Sequence, residues 1–293
     1  MTDLILIDGH ALAYRAYFGV KTRLLSPEGT LVNGVYGFGR TLLGLIDGSG
    51  AQEAAVVFDS PGPTFRRSLY PAYKANRPLP PDDFIPQLPL MADLSRCLGI
   101  KVLSESTFEA DDLIAAAAVR EAERGKSVVI VTPDKDLFQT LGEGDITIMR
   151  PTGRDTFARM NASVFRRSFG FEPGYMAEYQ ALMGDRTDNI PGVSGIGPVT
   201  AKGLIRRFGD LESIYGKIQS VKLPLRTRLE RDREKAFMSR DLTRLRLDAP
   251  VPEDLFLDEP DREGSACFCE RNGLKGLANP CRAFSPCAGP GGP

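Results

Sequence analysis

"LILIDGHALAYRAYF" (Leu4–Phe18) begins with four apolar residues and breaks at an aspartate. A run this short and this apolar fits a strand buried on both faces, as found inside a parallel sheet. Four more such runs follow: "AAVVF" (54–58), "KVL" (101–103), "SVVIV" (127–131) and "ITIM" (146–149). The intervals leave room for helices between strands, so the spacing predicts a layered α/β fold with a mostly parallel central sheet. The clearest helix is "EADDLIAAAAVREAERG" (109–125), which is alanine-rich and ends on Gly125. Ser106 stands three residues before Glu109, a Ser-x-x-Glu capping-box pattern. After about residue 172 the strand pattern stops and short helices are expected to about 260.

This gives three expected parts: an α/β domain at 1–172, a helical domain at 173–265, and a Cys-, Gly- and Pro-rich tail at 266–293 that is expected to be partly disordered. Within the first, residues 66–90 carry six prolines after Tyr70 and read as a long irregular lid or binding loop.

The chain has 293 residues, 42% hydrophobic and 26% charged, ordinary values for a soluble globular protein. No stretch of 18 apolar residues exists, so no membrane span is expected. The N-terminus carries Asp3 and no basic segment, unlike a signal peptide. Five cysteines in no disulfide pattern suit a reducing cytoplasm. Net charge is −1, but residues 217–246 hold ten Lys/Arg against four Asp/Glu. A single histidine, His10, removes a His-based zinc site and argues against Ser-His-Asp or Cys-His chemistry.

Carboxylates are the remaining resource. Three expected strands end in them: Asp8 after "LILI", Asp59 after "AAVVF", and Asp134 with Asp136 after "SVVIV". In open α/β sheets ligands bind outside these strand ends, although any one such aspartate is an ordinary turn or cap residue. Glu109, Asp111 and Asp112 open the strong helix, and Asp185 and Asp188 repeat the three-residue spacing of Glu109 and Asp112. A like-charge pair about 4 Å apart repels by about 1 kcal/mol in water and roughly 4 kcal/mol at an effective dielectric of 20. Nine converging carboxylates would therefore need counter-charge. An all-oxygen set points to Mg²⁺ or Mn²⁺, and two such ions would clamp both oxygens of a phosphodiester displacement.

Directly after Asp188 comes "GVSGIGPVTAK" (192–202). It resembles a helix–hairpin–helix turn, in which backbone N–H groups of a loop such as Gly192, Gly195, Ile196 and Gly197 hold a phosphate and Lys202 adds charge. A plain glycine-rich turn is the alternative. The basic stretch 217–246 could extend the backbone contact or form a solvated helix face.

Six segments together, "LILIDGHALAYRAYF", "VFDSPGPTFR", "YPAYKANR", "EADD", "TPDKDLFQ" and "GDRTDNIPGVSGIGPVTAKGL", resemble in order the signatures of the 5′-nuclease domain of bacterial DNA polymerase I, a flap-endonuclease superfamily member. The resemblance runs from residue 4 to about 275. It implies a PIN-like α/β domain with a helix–hairpin–helix part, and it places the family's metal acids on all nine carboxylates named above. It also implies cleavage at 5′ flaps and 5′→3′ removal of nucleotides in primer removal, nick translation and repair. Tyr73, Lys74 and Arg77 match the base of the family's helical arch, and Arg66 an arginine near the scissile phosphate. The further expectations are two or more Mg²⁺ or Mn²⁺ ions, a monovalent cation at the hairpin loop, a polymerase partner in cis or trans, and a monomer in the bacterial cytoplasm at the nucleoid. Two other readings remain open at this stage: a non-catalytic DNA-binding module, and a metal-dependent phosphatase of small molecules.

The resemblance weakens at "SACFC" (265–269), where a leucine-bearing segment would be expected. Cys267, Cys269, Cys281 and Cys287 are poorly spaced for zinc, and Cys97 reads as a core residue.

Overall fold

Strand β1 (Leu4–Asp8) is buried at every position. Its alternate side chains feed two separate cores, Leu4 and Leu6 on one face and Ile5 and Ile7 on the other, as the two-residue period of a strand requires. The computed structural model describes residues 2–153 and 156–286. Around β1 stand β2 (Glu53–Val57), β3 (Lys101–Leu103), β4 (Val128–Val131), β5 (Ile146–Pro151) and β6 (Phe157–Met160), in the order β3-β2-β1-β4-β5-β6. The first five pair parallel and β6 joins β5 antiparallel. The five apolar runs are thus the five parallel strands. The sixth gave no signal, because "FARM" is a half-exposed edge strand without an apolar run.

Helices α1 (Gly9–Gly19), α2 (Asn33–Ser49), α3 (Phe65–Leu69), α4 (Gln87–Cys97), α5 (Ala110–Glu123) and α6 (Ala162–Phe169) connect or flank the sheet. Then come α7 (Met176–Met183), α8 (Pro198–Phe208), α9 (Leu211–Gly216), α10 (Leu225–Arg231), α11 (Arg233–Thr243), α12 (Arg262–Arg271) and α13 (Lys275–Ala283). The alanines of α5 lie flush against the Leu4/Leu6 face. No described helix is long and apolar enough to cross a membrane.

Three expectations are corrected. Ser106 does not cap α5; it bonds the Glu105 carboxylate, while Glu109 is the N-cap and its N–H donates to Asp112 at 3.1 Å. Residues 66–90 do not form an open loop or a long arch. They make the five-residue α3, a series of turns, and the start of α4, with Tyr73 and Phe84 buried. The tail is not disordered over 266–286. Helices α12 and α13 bury Phe268, Cys269, Leu277, Cys281 and Phe284 in the Ile5/Ile7 core, so the cysteines at 269 and 281 stand in for apolar side chains. The last residues, 287–293, lie outside the described ones.

The docking of α13 is close. A Cβ on Gly39 of α2 would come within 2.7 Å of Leu94 and 2.9 Å of Leu277. Removing the Leu277 side chain leaves a cavity between three helices. Leu277→Ala is expected to cost about 2–5 kcal/mol, read as a lowered urea midpoint with unchanged slope.

Candidate active site

The strand order reverses at β1, which pairs with β2 on one side and β4 on the other. A crevice opens at the carboxyl ends there, and it is lined with acids. Asp8 ends β1 and caps α1, accepting from the N–H of Ala11 at 2.9 Å and from the Thr132 hydroxyl at 2.9 Å. Asp59 follows β2 and accepts from the N–H of Ala110, at the start of α5, at 2.8 Å. Asp134 follows β4 and accepts from the N–H of Asp136 at 2.8 Å. Each carboxylate is held by backbone or hydroxyl donors that leave acceptor capacity over.

The nine acids fall into two groups. Four carry a basic partner: Glu109 with Lys74 at 2.9 Å, Asp112 with Arg66 at 2.6 Å, Asp185 with Lys135 at 2.7 Å, and Asp188 with Arg77 at 2.5 Å. The other five, Asp8, Asp59, Asp111, Asp134 and Asp136, have no lysine or arginine partner among the described residues; Asp59 has only His10, at 3.8 Å. Electrostatics follow the division. Burial pushes Asp8 up to about 6, against the bonds from Ala11 and Thr132, and Asp59 and Asp134 add repulsion. Asp111 is raised well above the usual range by burial, then by Asp134 and Asp8. Asp136 is raised likewise by burial and Asp134, against a bond from Gln180. Glu109 and Asp185 go the other way: burial would raise both, but Lys74 and Arg66 hold the first low and Lys135 the second.

Among the described residues no three His, Cys, Asp or Glu side chains already form a metal cage. The donor set still suits a hard divalent cation. It offers only oxygens, and the burial and mutual repulsion that raise the proton affinity of Asp8, Asp111 and Asp136 favour any small positive ion at the same place. His10 is a poor competitor. Burial lowers its pKa, and its Nδ1 accepts from the Asp59 N–H at 3.1 Å, so it is neutral.

Basic groups form the opposite wall. A cavity of about 170 Å³ is lined by Asp59, Arg67, Tyr73, Lys74, Arg77 and Glu109. A second, of about 240 Å³, shares Arg77 and adds Asp134, Lys135, Asp136, Arg150 and Asp185. Lys74 is held in a left-handed backbone conformation, φ 55°, by its N–H bond to the Asp188 carbonyl at 2.9 Å. Such strain persists only where the surroundings impose it. The Tyr73 hydroxyl donates to Glu109 at 3.0 Å. Burial, then Glu109, raises its pKa, so it stays protonated.

Arg66 and Asp112 sit elsewhere than expected. Arg66 is 2% exposed, bidentate to Asp112 at 2.6 and 2.7 Å, with further bonds to the carbonyls of Leu242 and Arg244. Asp112 is fully buried and also accepts from the N–H groups of Glu109 and Arg246. This pair lies behind Glu109, 3.5 Å from it, and supports the site from below.

The hairpin loop also divides. Gly192 is buried, with its N–H on the Ser239 hydroxyl, and Ile196 is a core side chain whose N–H bonds the Val193 carbonyl. Neither offers a free donor. Gly195 and Gly197 are exposed at the loop tip, and Gly197 is the N-cap of α8. Lys202 bonds the Ser168 carbonyl at 3.1 Å and lies over the Phe169 ring. The basic run 217–246 is mostly spent internally: Arg231 on Asp232, Arg240 on Glu212, Arg244 on Glu178 and Arg246 on Asp248.

Lys135 and Gln180 were not anticipated. Lys135 could have been suspected from its place between Asp134 and Asp136. Gln180 gave no signal; it is a fully buried α7 residue whose amide nitrogen donates to Asp136.

A sheet edge carrying unpaired acids beside a glycine-rich helical turn is an arrangement suited to metal-assisted phosphodiester chemistry. Comparison narrows it. Residues 3–170 match the model of the 5′–3′ exonuclease N-terminal resolvase-like domain, and 171–263 that of the 5′–3′ exonuclease C-terminal SAM fold. The chain belongs to the 5′–3′ exonuclease family. It is 40% identical over 92% of its length to a thermostable DNA polymerase I of Thermus thermophilus, and 36% identical over 86% to a DNA polymerase I of Borreliella burgdorferi. It spans about a third of the length of these curated relatives, 32% and 28%. Its fold matches the T5 D15 protein crystallised with metal ions, at TM-score 0.70 and 18% identity, covering 95% of this chain and 98% of that one.

Two measurements follow from the geometry. Arg66→Met leaves the Asp112 charge buried and alone, and should cost about 3–5 kcal/mol of stability by urea unfolding. Asp8 binds a proton more tightly folded than unfolded. Its ionisation therefore costs nothing below about pH 3.8, increasingly more up to about 6, and the full amount above. Asp8→Asn keeps the cap oxygen and removes the charge. In chelator at pH 7.5 it should be more stable than the parent by about 1–3 kcal/mol, with the gain vanishing near pH 4.

Proposed function

We propose that the chain is a divalent-metal-dependent, structure-selective 5′ nuclease that hydrolyses phosphodiesters at 5′ flaps and 5′ ends of duplex DNA. The observation that carries this reading is the group of five carboxylates without a lysine or arginine ion pair at adjacent strand ends, with Lys74 and Arg77 lining cavities beside them. Asp8, Asp59, Asp111, Asp134 and Asp136 would hold Mg²⁺ or Mn²⁺, with Asp185 and Asp188 beside a second ion and Glu109 beside the first. Bound there, the ions supply Lewis acidity and a hydroxide at neutral pH.

The chain's own residues do the rest. Lys74 stays charged, because Glu109 and Asp188 outweigh its burial, and its ammonium can meet charge developing on the scissile phosphate. Arg77, about half exposed and tied to Asp188, offers the remaining donors of its fork to the same phosphate. Gly195, Gly197 and Lys202 hold the duplex backbone farther off, where a monovalent cation can add to the loop. The preferred division places catalysis in residues 1–172 and duplex binding in 173–265. The partners are flapped, nicked or branched DNA and a DNA polymerase in cis or trans; the chain acts as a monomer in the bacterial cytoplasm, at the nucleoid.

Incubation with a 5′-flap duplex tests this. Cleavage should need Mg²⁺ or Mn²⁺, and full activity in excess EDTA would sink the reading. Asp134→Asn should lower single-turnover cleavage by orders of magnitude. Its affinity for flap DNA in Ca²⁺ should stay equal or tighten, because a negative charge leaves an anion's path. Lys74→Ala should also slow cleavage, with affinity equal or weaker. Binding without cleavage by the unaltered chain would favour a binding module instead. Lys202→Ala should weaken duplex binding about equally across sequences and reduce the salt slope by about 1.

A further inference from the structure

The departure at "SACFC" has a structural sequel that the nuclease reading does not use. Cys269 in α12 and Cys281 in α13 are both fully buried, and their sulfurs are 3.7 Å apart. They are free thiols in direct contact on two helices that pack along their length. A disulfide needs the sulfurs near 2.05 Å, a closing of under about 2 Å that side-chain rotation can supply. Their chemical states already differ. The Cys281 thiol is held below its ordinary value by the bond with Cys269, against burial, while the same bond and burial raise Cys269. The hydrogen bond between the two sulfurs can run in either direction, so either thiol can act as the nucleophile once it loses its proton.

A cavity of about 570 Å³ opens beside α12, lined by Cys97, Asp93, Arg96, Phe268, Arg271 and Asn272. Phe268 is the residue before Cys269, and Cys97 at the cavity wall is close enough to interact electrostatically with Cys269 and to feel Cys281. The other α12 cysteine, Cys267, is exposed.

We propose that Cys269 and Cys281 are an oxidisable pair that closes to a disulfide with a peroxide, stapling α12 to α13. The Cys281 thiolate attacks one peroxide oxygen, the O–O bond breaks, and hydroxide leaves to be protonated to water. Cys281 is then a sulfenic acid. The Cys269 sulfur attacks the Cys281 sulfur, the S–O bond breaks, and water leaves with the Cys269 proton. Two thiols and one hydrogen peroxide give one disulfide and two waters. The bond closes a loop across the last two helices of the described chain, which cover the Ile5/Ile7 core.

The test uses the full chain, reduced and then treated with hydrogen peroxide, followed by unfolding, alkylation of free thiols and peptide mass mapping. Expected is a peptide pair joined through Cys269 and Cys281 and lighter by two hydrogens, with Cys97 and Cys267 still free or singly oxidised. Thermal unfolding without reductant should shift upward by several degrees and return after dithiothreitol. In Cys281→Ser the joined pair and the upward shift should both vanish; in Cys267→Ser both should persist. The proposal is overturned if both thiols stay alkylatable after Cys267 is fully oxidised, or if either joins Cys267, Cys97 or Cys287 instead. If Cys281→Ser fails to fold, the mapping on the unaltered chain decides alone.

Discussion

Repulsion among carboxylates is the constraint around which the molecule is arranged. Asp8, Asp59, Asp111, Asp134 and Asp136 gather where three adjacent strands end, and burial with mutual charge raises the proton affinity of Asp8, Asp111 and Asp136. A fold tolerates such crowding only if each group is positioned by something stiffer than its own preference. The sheet supplies that stiffness. Asp8 is fixed by the register of β1 between β2 and β4 and by the first turn of α1, and Asp59 by the first turn of α5. The instability at this edge is local and is offset by the alanine-packed core beneath it.

Basic residues are distributed with equal economy. Lys74, Arg77 and Lys135 each neutralise an acid at the margin of the crevice rather than at its centre. The centre therefore keeps its unpaired carboxylates, while the margin carries paired charges of both signs.

Much of this was legible in the sequence, for physical reasons. Strands buried on both faces must be apolar throughout, so "LILI" and "SVVIV" announced themselves, and the aspartates that end them marked the ligand edge. Edge strand β6 could not be seen, since half-exposed "FARM" has no reason to be apolar. Motif likeness marked Arg66 and Asp112 but could not tell a residue that faces a ligand from one that holds the floor; that distinction depends on the carbonyls of Leu242 and Arg244, far away in sequence. The composition of the last 28 residues misled because cysteine in a core behaves as a small apolar residue, and proline and glycine counts do not report where a helix docks.

The Arg66 guanidinium has a wider meaning. It grips Asp112 at the head of α5 and, with the same fork, two carbonyls at the end of α11. The buried Arg66 cation is one of the joints between the matched family segments, 3–170 and 171–263. Two segments joined in this way are not interchangeable halves. A graft of the helical part from a distant relative would have to bring the same two carbonyls to the same spot, or strand a charge in the interior.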